Sequence, residues 1–269
     1  MTIDSSKHKR SFAVKSILLC FGLAVAGCTP IDPAELKAGG VFDPYEKANR
    51  QTHEFNRAMD RALIRPAGKG YASVVPDEIQ TAVGNFADNL SEPSMAVNHL
   101  LQGDPKGVGV NLYRFLVNAT LGFGGLFDVA ADFGVHEGDT DFGETLHVWG
   151  APEGAYVELP LLGPSNERDA VGKFVDLFTD PLSYVIPRPE KYYGTAARVV
   201  AKVGDRGRYA DTVDSILYES ADSYAQGRLI YTQNRRYELG GGGADTYVDP
   251  YSDPYSDPYS DPYEDPYAE

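Results

Sequence analysis

The sequence predicts an all-α fold for the body of this chain, roughly residues 41 to 240. Helix-start signals recur along this body, and apolar residues follow each signal at helical spacing. The alternating apolar and polar pattern of strands is scarce. We therefore expect the body to be a set of amphipathic helices.

The first helix is predicted to start at Asp43, an N-cap residue followed by Pro44 at the first helical position and Glu46 at the third. Pro66 is expected to end it. A second capping box, residues 77–80, predicts the next helix. Apolar stripes on these two helices are formed by Ala48, Phe55, Met59 and Leu63 and by Ile79, Val83, Phe86, Ala87 and Leu90.

Two more helices follow closely. Ser91 with Pro93 starts the third, and Asp104 with Pro105 starts the fourth, which is expected over about residues 106–121. Residues 134–165 are rich in Gly and Pro and predict one short helix near 144–148. Later helices are predicted at 169–178, at 190–203 and at 209–237 with a break near 220.

These helices are apolar for a soluble domain, yet the longest uncharged apolar stretch is short. It covers residues 115–127 and contains Asn118 and three glycines, whereas a helix that spans a bilayer needs about 20 apolar residues. Helices that lie in a membrane interface, or that surround a lipid, have this composition.

The N-terminus has the pattern of a secretion signal. Basic residues precede an apolar run from Ser16 to Ala26, and Val-Ala-Gly before Cys28 resembles the cleavage site of bacterial lipoproteins. We predict that residues 1–27 are removed and that Cys28 is lipidated. Thr29 stands where Asp would favour retention in the inner membrane. The expected location is therefore the periplasmic face of the outer membrane, held there by acyl chains.

The two ends of the mature chain differ from its body. Cys20 lies in the predicted signal and lipid consumes Cys28, so disulfides and cysteine metal sites are excluded. Residues 28–40 have the composition of a tether. Residues 241–269 repeat Asp-Pro-Tyr, with eight acidic and no basic residues from Asp245 onward, and this composition predicts a disordered acidic tail.

Composition and motifs do not support catalysis or nucleic-acid binding. A net charge of −15 argues against a nucleic-acid partner. The sequence contains no motif of a catalytic nucleophile, and the nearest candidate, Ser165, is expected to cap the next helix. The histidines lack the spacing of metal ligands. Glu137, Asp139 and Asp141 predict a solvated acidic loop, with a hard-cation site as the alternative. We expect no enzyme activity, cofactor or metal.

One polar stripe lies on the fourth helix. Asn111, Arg114 and Asn118 share one face, opposite the apolar residues. In one interpretation this face lines a lipid path, with Arg114 contacting a lipid phosphate. In the other, Arg114 forms a structural ion pair, for instance with Asp88 or Glu92. The stripe supplies our candidate lipid-path residues.

Across the whole body the sequence resembles the VacJ/MlaA phospholipid-transport lipoproteins. The shared motifs occur in order and with few gaps, and the departures are Ala119, Glu144 and the Asp-Pro-Tyr tail. The motifs are Asp43–Glu46, Asn49–Arg50, Phe55–Asn56, Ile64–Pro66, Asn85–Phe86, Asn89–Leu90, Pro93, Val97–Asn98, Leu101–Asp104, Arg114–Phe115, Asn118, Gly122–Gly125, Asp128, Asp141–Gly143, Gly150, Tyr156, Leu159–Pro160, Gly163–Ser165, Arg168–Asp169 and Asp180–Leu182.

This resemblance implies a ring of helices lying in the inner leaflet of the outer membrane around an amphipathic channel. It implies that phospholipids that have strayed into the outer leaflet pass through the channel to a soluble periplasmic carrier. It also implies association with a trimeric porin. The alternative is a porin-associated structural lipoprotein that binds lipid without moving it. A third possibility, a lipid hydrolase, is disfavoured because the sequence shows no catalytic triad.

Overall fold

The computed structural model describes residues 36–37 and 40–241. Within these residues the fold is mostly helical, as predicted, with two small antiparallel hairpins. The predicted signal peptide, the lipidation site Cys28 and the tail beyond residue 241 lie outside the described residues. No helix among the described residues has the length and apolar character needed to cross a bilayer.

Helices dominate the succession of elements along the chain, and the two hairpins interrupt them. In chain order the elements are β1 (Leu36–Lys37), β2 (Val41–Phe42), α1 (Glu46–Met59), a π-helical segment (Asp60–Ile64), α2 (Arg65–Val74), α3 (Asp77–Asn89), α4 (Glu92–Gln102), α5 (Pro105–Thr120), α6 (Val129–Asp132), α7 (Phe142–Val148), β3 (Tyr156–Leu159), β4 (Gly163–Asn166), α8 (Glu167–Thr179), α9 (Leu182–Val185), a 3₁₀ turn (Glu190–Tyr192), α10 (Tyr193–Arg208), α11 (Ala210–Asp214), a π-helical segment (Ser215–Glu219), α12 (Ser223–Arg236) and a π-helical turn (Tyr237–Gly241).

Several predicted elements are confirmed. Asp104 caps α5 by accepting a hydrogen bond from the backbone N–H of Lys106 at 3.0 Å. Ser220 has an extended backbone and separates the second π-helical segment from α12, which is the predicted break. The predicted short helix is α7. The tether predicted at residues 28–40 stays a prediction: it is described only at residues 36–37 and 40, and Leu36–Lys37 there pairs as a strand with Val41–Phe42.

The predicted N-cap role of Asp43 is wrong. Helix α1 begins three residues later, and the Asp43 carboxylate is buried instead. It accepts hydrogen bonds from Arg228 at 2.5 Å, from Tyr224 at 2.6 Å and from Asn49 at 2.9 Å. Because Arg228 and Tyr224 belong to α12, Asp43 ties the start of the body to its last long helix.

The prediction that Pro66 ends the first helix is also wrong. The chain continues from α1 through the π-helical segment Asp60–Ile64 into α2, where Pro66 occupies an early position. In a regular helix the proline ring clashes with the carbonyl four residues earlier. The wider π turn changes the spacing of those carbonyls and lets the helical path continue.

Two other capping predictions fail in detail. Helix α3 begins where predicted, but its side-chain capping box is absent, and Gln80 donates to the Val75 carbonyl at 2.8 Å. Asn166, not Ser165, caps α8 by accepting from the Asp169 N–H at 2.7 Å. Ser165 is buried in β4, paired with Val157 of β3. Sequence analysis missed this hairpin because its strands are short and β4 contains Gly and Pro.

Helix contacts close into a ring. Helix α2 packs on α10, α10 on α3, α3 on α5, and α5 on α4. From α4 the contacts continue through α7 and α8 to the β3–β4 hairpin, which packs on α1 and so returns to α2. Helices α2 and α10 approach each other closely, because a Cβ atom on Gly207 would overlap the carbonyl of Gly68.

Few large apolar side chains are buried in this ring. The main buried apolar cluster is aromatic and consists of Tyr156 and Tyr224 with Val41, and the two rings meet edge to face 5.9 Å apart. Most of the other large buried side chains are polar or charged. Many large apolar side chains are exposed, including Leu100, Leu116, Leu121, Phe123, Phe127, Leu177 and Val185.

Candidate functional site

Helix α5 buries polar side chains and exposes large apolar ones. Asn111, Arg114 and Asn118 are at most 4% exposed, whereas Leu116 on the opposite side is 60% exposed and Leu112 is 44% exposed. The predicted polar stripe is therefore packed against the rest of the protein, whereas Leu112 and Leu116 of the apolar stripe are exposed. A soluble helix normally buries its apolar face and exposes its polar face, so α5 reverses the usual arrangement.

Arg114 is the centre of a buried polar cluster. Its Nε donates to Glu92 Oε1 at 2.6 Å, and its two Nη atoms donate to the Val135 carbonyl at 2.7 Å and to Asp128 at 3.1 Å. Asn118 donates to the other oxygen of Asp128 at 2.9 Å. The cluster joins α4 and α5 to the segment around α6.

Glu92 is the most deeply buried charged residue of this cluster, with 0% exposure. Burial raises its pKa to about 7, and the hydrogen bond from Arg114 only partly opposes that rise. Its second oxygen, Oε2, accepts no hydrogen bond from the described residues. Two further acids, Glu137 and Asp128, push the pKa in the same direction. One arginine thus faces an excess of carboxylates.

These contacts support the ion-pair interpretation of Arg114. Its partner is Glu92, and the other partner considered, Asp88, is not hydrogen-bonded to it. Asn111, the third stripe residue, donates to the Gly138 carbonyl at 2.9 Å. The structure therefore brings all three predicted site residues to one buried face, held by protein groups. Whether that face also lines a lipid path stays a prediction.

The acidic loop predicted at residues 137–141 is partly structural. Asp141 caps α7 by accepting from the Glu144 N–H at 2.7 Å, and it pairs with Arg235 at the same distance. The described residues contain no group of three or more His, Cys, Asp or Glu side chains arranged to hold a metal ion.

A Ser, a His and a Glu from distant parts of the chain meet in the structure. His53 Nε2 lies 3.0 Å from Ser223 Oγ, and His53 Nδ1 lies 3.3 Å from Glu158 Oε1. All three side chains are buried. The first-turn N–H of Ala225 is bound by Asp222 and so is not open to an oxyanion. The trio ties α1, β3 and α12 together.

The cavity next to Arg168 combines charged and apolar walls. It has a volume of about 540 Å³ and is lined by His147, Glu153, Arg168 and Arg236 together with Ala151, Pro152 and Leu239. We name it the Arg168 cavity. Arg168 is 4% exposed, and its Nε donates to Asp169 at 3.1 Å. Arg236 donates to Glu153 at 3.0 Å.

Arg168, which lines this cavity, has one guanidinium nitrogen that is not hydrogen-bonded by the described residues. Arg168 Nη1 lies 3.3 Å from His147 Nδ1, while Nη2 is buried without a hydrogen-bond partner among the described residues. Buried donors are nearly always paired in folded proteins. A phosphate or carboxylate would supply the missing acceptor, and the apolar wall suits an amphiphile. Residues from three separate stretches of the chain form the cavity, namely 147–153, 168 and 236–240, so sequence spacing gave no signal for it.

The model of the MlaA lipoprotein family matches residues 41–238, which is most of the chain. The chain belongs to the MlaA lipoprotein family. This assignment confirms the resemblance inferred from the motifs.

Relatives of this MlaA-family chain are known in several bacteria. The Escherichia coli intermembrane phospholipid transport system lipoprotein MlaA is 34% identical over 212 residues, covering 76% of this chain and 80% of that protein. The Haemophilus influenzae MlaA is 30% identical and covers 85% and 92% of the two chains. An uncharacterised Rickettsia bellii protein is 33% identical, covering 84% and 91%.

A solved structure has the same MlaA fold. It was determined in a study of the structural basis for maintenance of bacterial outer membrane lipid asymmetry. The TM-score is 0.63 at 31% identity, and the similarity covers 73% of this chain and 98% of the solved one.

Proposed function

We propose that this chain is a lipid-anchored outer-membrane protein that takes mislocalised phospholipids from the outer leaflet and passes them to a soluble periplasmic carrier. The observation that carries this proposal is the reversed arrangement of α5, in which Leu116 is exposed while Asn111, Arg114 and Asn118 are buried. Membership of the MlaA family supports it, because curated relatives are named as intermembrane phospholipid transport lipoproteins.

The physical requirements of lipid transfer agree with this arrangement. Apolar side chains on the outer face can replace lipid tails as neighbours, and helices satisfy their own backbone hydrogen bonds in that environment. Polar groups inside the ring can accompany a headgroup whose transfer through hydrocarbon would otherwise be unfavourable. Acyl chains on Cys28 would hold the ring at the periplasmic face of the outer membrane.

The Arg168 cavity is the best-supported contact for a lipid phosphate. Its unpaired Arg168 nitrogen offers a charge-assisted hydrogen bond, and the wall formed by Ala151, Pro152 and Leu239 suits the adjoining apolar part of a lipid. For the polar face of α5, lining of the same path stays a prediction. We further propose that the exposed apolar surface also contacts a trimeric porin.

The proposal is tested by filling the cavity. Ala151→Phe should slow transfer of fluorescent phospholipid from vesicles, by way of the lipidated full-length protein, to the periplasmic carrier. Ala67→Phe, on an exposed position of α2 outside the cavity, is the matched control and should transfer normally. A strain that lacks the gene should accumulate phospholipid in its outer leaflet.

An unchanged outer leaflet together with normal detergent sensitivity in that strain would contradict the transport function. Lipid that remains bound to the purified protein and never reaches the carrier would favour the alternative, a porin-associated structural lipoprotein.

A further inference from the structure

A second cavity lies between α2, α3 and α10. It has a volume of about 210 Å³, its exposed wall is mainly polar, and it opens to solvent. The residues that matter for its chemistry are Tyr71, Gln80, Gly84, Asp88, Asp205 and Arg208. We name it the Gln80 cavity. None of its residues belongs to the Arg168 cavity or to the Arg114 cluster.

Gln80 brings an unused acceptor to this cavity. Its side chain is 6% exposed, and its Nε2 donates to the Val75 carbonyl at 2.8 Å. Its Oε1 is buried and accepts no hydrogen bond from the described residues. The same oxygen lies 3.8 Å from the position that a Cβ would take on Gly204, which also lines the cavity. A donor that enters the cavity would satisfy it.

Two carboxylates add negative charge to this acceptor. Asp88 on α3 and Asp205 on α10 both line the cavity, and both are exposed to solvent there. Burial raises the pKa of Asp88, and the carboxylates of Asp139 and Asp205 raise it further, while the positive charges of Lys202 and Arg114 oppose them. A bound cation would relieve this repulsion.

The acceptors and negative charges of this cavity suit an ammonium group. A primary ammonium has three N–H donors, and the cavity offers three acceptor groups: the two carboxylates and Gln80 Oε1. Arg208 lines the same cavity and supplies a positive charge for an anion attached to that ammonium. A quaternary ammonium lacks N–H donors, and a glycerol headgroup lacks the positive charge.

We propose that the Gln80 cavity binds a phosphoethanolamine headgroup and gives the protein a preference for phosphatidylethanolamine over phospholipids without a primary ammonium. This inference rests on the proposed function, because it assumes that lipid headgroups reach the ring. Asp88, Asp205 and Gln80 hold the ammonium, and Arg208 holds the phosphate.

The first experiment measures binding of soluble headgroups to the full-length protein by calorimetry. Glycerophosphoethanolamine should bind more tightly than glycerophosphocholine or glycerophosphoglycerol. Asp88→Asn should weaken its binding about tenfold, which corresponds to the loss of one charge-assisted hydrogen bond. Equal binding of all three headgroups would overturn the proposal. So would equal binding of free ethanolamine, because Arg208 would then hold no phosphate.

The second experiment blocks the cavity without disturbing a partner. A Cβ on Gly84 would meet nothing within 4 Å, so Gly84→Leu should fold and fill the space. Gly70→Leu is the matched control, because Gly70 is also helical and open but does not line the cavity. Gly84→Leu should abolish glycerophosphoethanolamine binding, and Gly70→Leu should leave it intact. Unchanged binding in Gly84→Leu would refute this site.

Vesicle transfer separates failure of this inference from failure of the proposed function. Wild-type protein should transfer phosphatidylethanolamine faster than phosphatidylglycerol, and Gly84→Leu should remove the difference. Transfer of both lipids at equal rates by the wild type would contradict the headgroup preference alone. Transfer of neither lipid would contradict the proposed function itself.

Discussion

Arg114 and Glu92 form a buried ion pair in which Nε and Oε1 are 2.6 Å apart. The pair joins α5 to the neighbouring α4, and Arg114 also donates to Asp128 and to the Val135 carbonyl. One side chain therefore joins three segments: α4, α5 and the segment around α6. Its loss would leave several buried acceptors without a donor.

We predict that Arg114→Ala lowers the free energy of unfolding by about 3 kcal/mol. This is the lower end of the range for a buried pair broken on one side, because Glu92 can bind a proton once its partner is gone. Urea denaturation followed by circular dichroism measures the change. A variant of normal stability that transfers lipid poorly would instead support direct contact between Arg114 and a lipid phosphate.

Arg114→Lys should destabilise the protein nearly as much. Lysine keeps the charge but cannot donate in three separate directions from a planar group, as Arg114 does to Glu92, Asp128 and Val135. The same denaturation series checks this prediction. Wild-type stability in the lysine variant would show that positive charge alone suffices at this position.

The pKa of Glu92 predicts how stability depends on pH. In the folded state it is about 7, above the ordinary value of 4.5, so the folded chain binds more proton than the unfolded chain between these values. The stabilising contribution of Glu92 is complete below pH 4.5 and is lost as pH rises through about 7. Glu92→Gln stays neutral and should remove this part of the pH dependence. Parallel stability curves for the two proteins between pH 5 and 8 would contradict the prediction.

Sequence patterns predicted the helices better than the way they start and end. Spacing placed α5 and its polar stripe because a 3.6-residue period depends only on the order of residues. The roles of Asp43 and Pro66 were misjudged because tertiary partners decide them. Asp43 accepts a hydrogen bond from Arg228, which is 185 residues away in the sequence. No local sequence pattern predicts such a partner.

The candidate sites were less predictable than the helices. The polar stripe on α5 indicated that Arg114 either contacts lipid or forms a structural ion pair. Glu92 was one of the two partners considered for that ion pair. Both cavities escaped sequence analysis because each collects residues from separate helices. The sequence placed Gln80 in a capping box. In the structure its Nε2 donates to the Val75 carbonyl, and its Oε1 has no hydrogen-bond partner among the described residues beside the Gln80 cavity.

The predicted anchor is tested by Cys28→Ala. Without the thiol no acyl chain can be attached, so we expect an uncleaved or mislocalised precursor, visible by membrane fractionation and mass spectrometry. If the variant is found in the outer membrane with full transfer activity, the helical body alone suffices for location.

The predicted tail is tested by deleting residues 245–269. These residues contain no aliphatic side chain other than Ala and Val, and such a segment can bury little apolar surface. We expect unchanged thermal unfolding and unchanged lipid transfer. A cooperative loss of stability after truncation would show that the tail packs on the body.

The outward position of Leu112 and Leu116 has a consequence for calorimetry. Unfolding a typical domain exposes apolar surface to water and raises the heat capacity by about 12–15 cal/mol/K per residue. In water, this ring already exposes many of its large apolar side chains while folded. Its heat-capacity change per residue should therefore fall below that range, which would make its stability vary more nearly linearly with temperature.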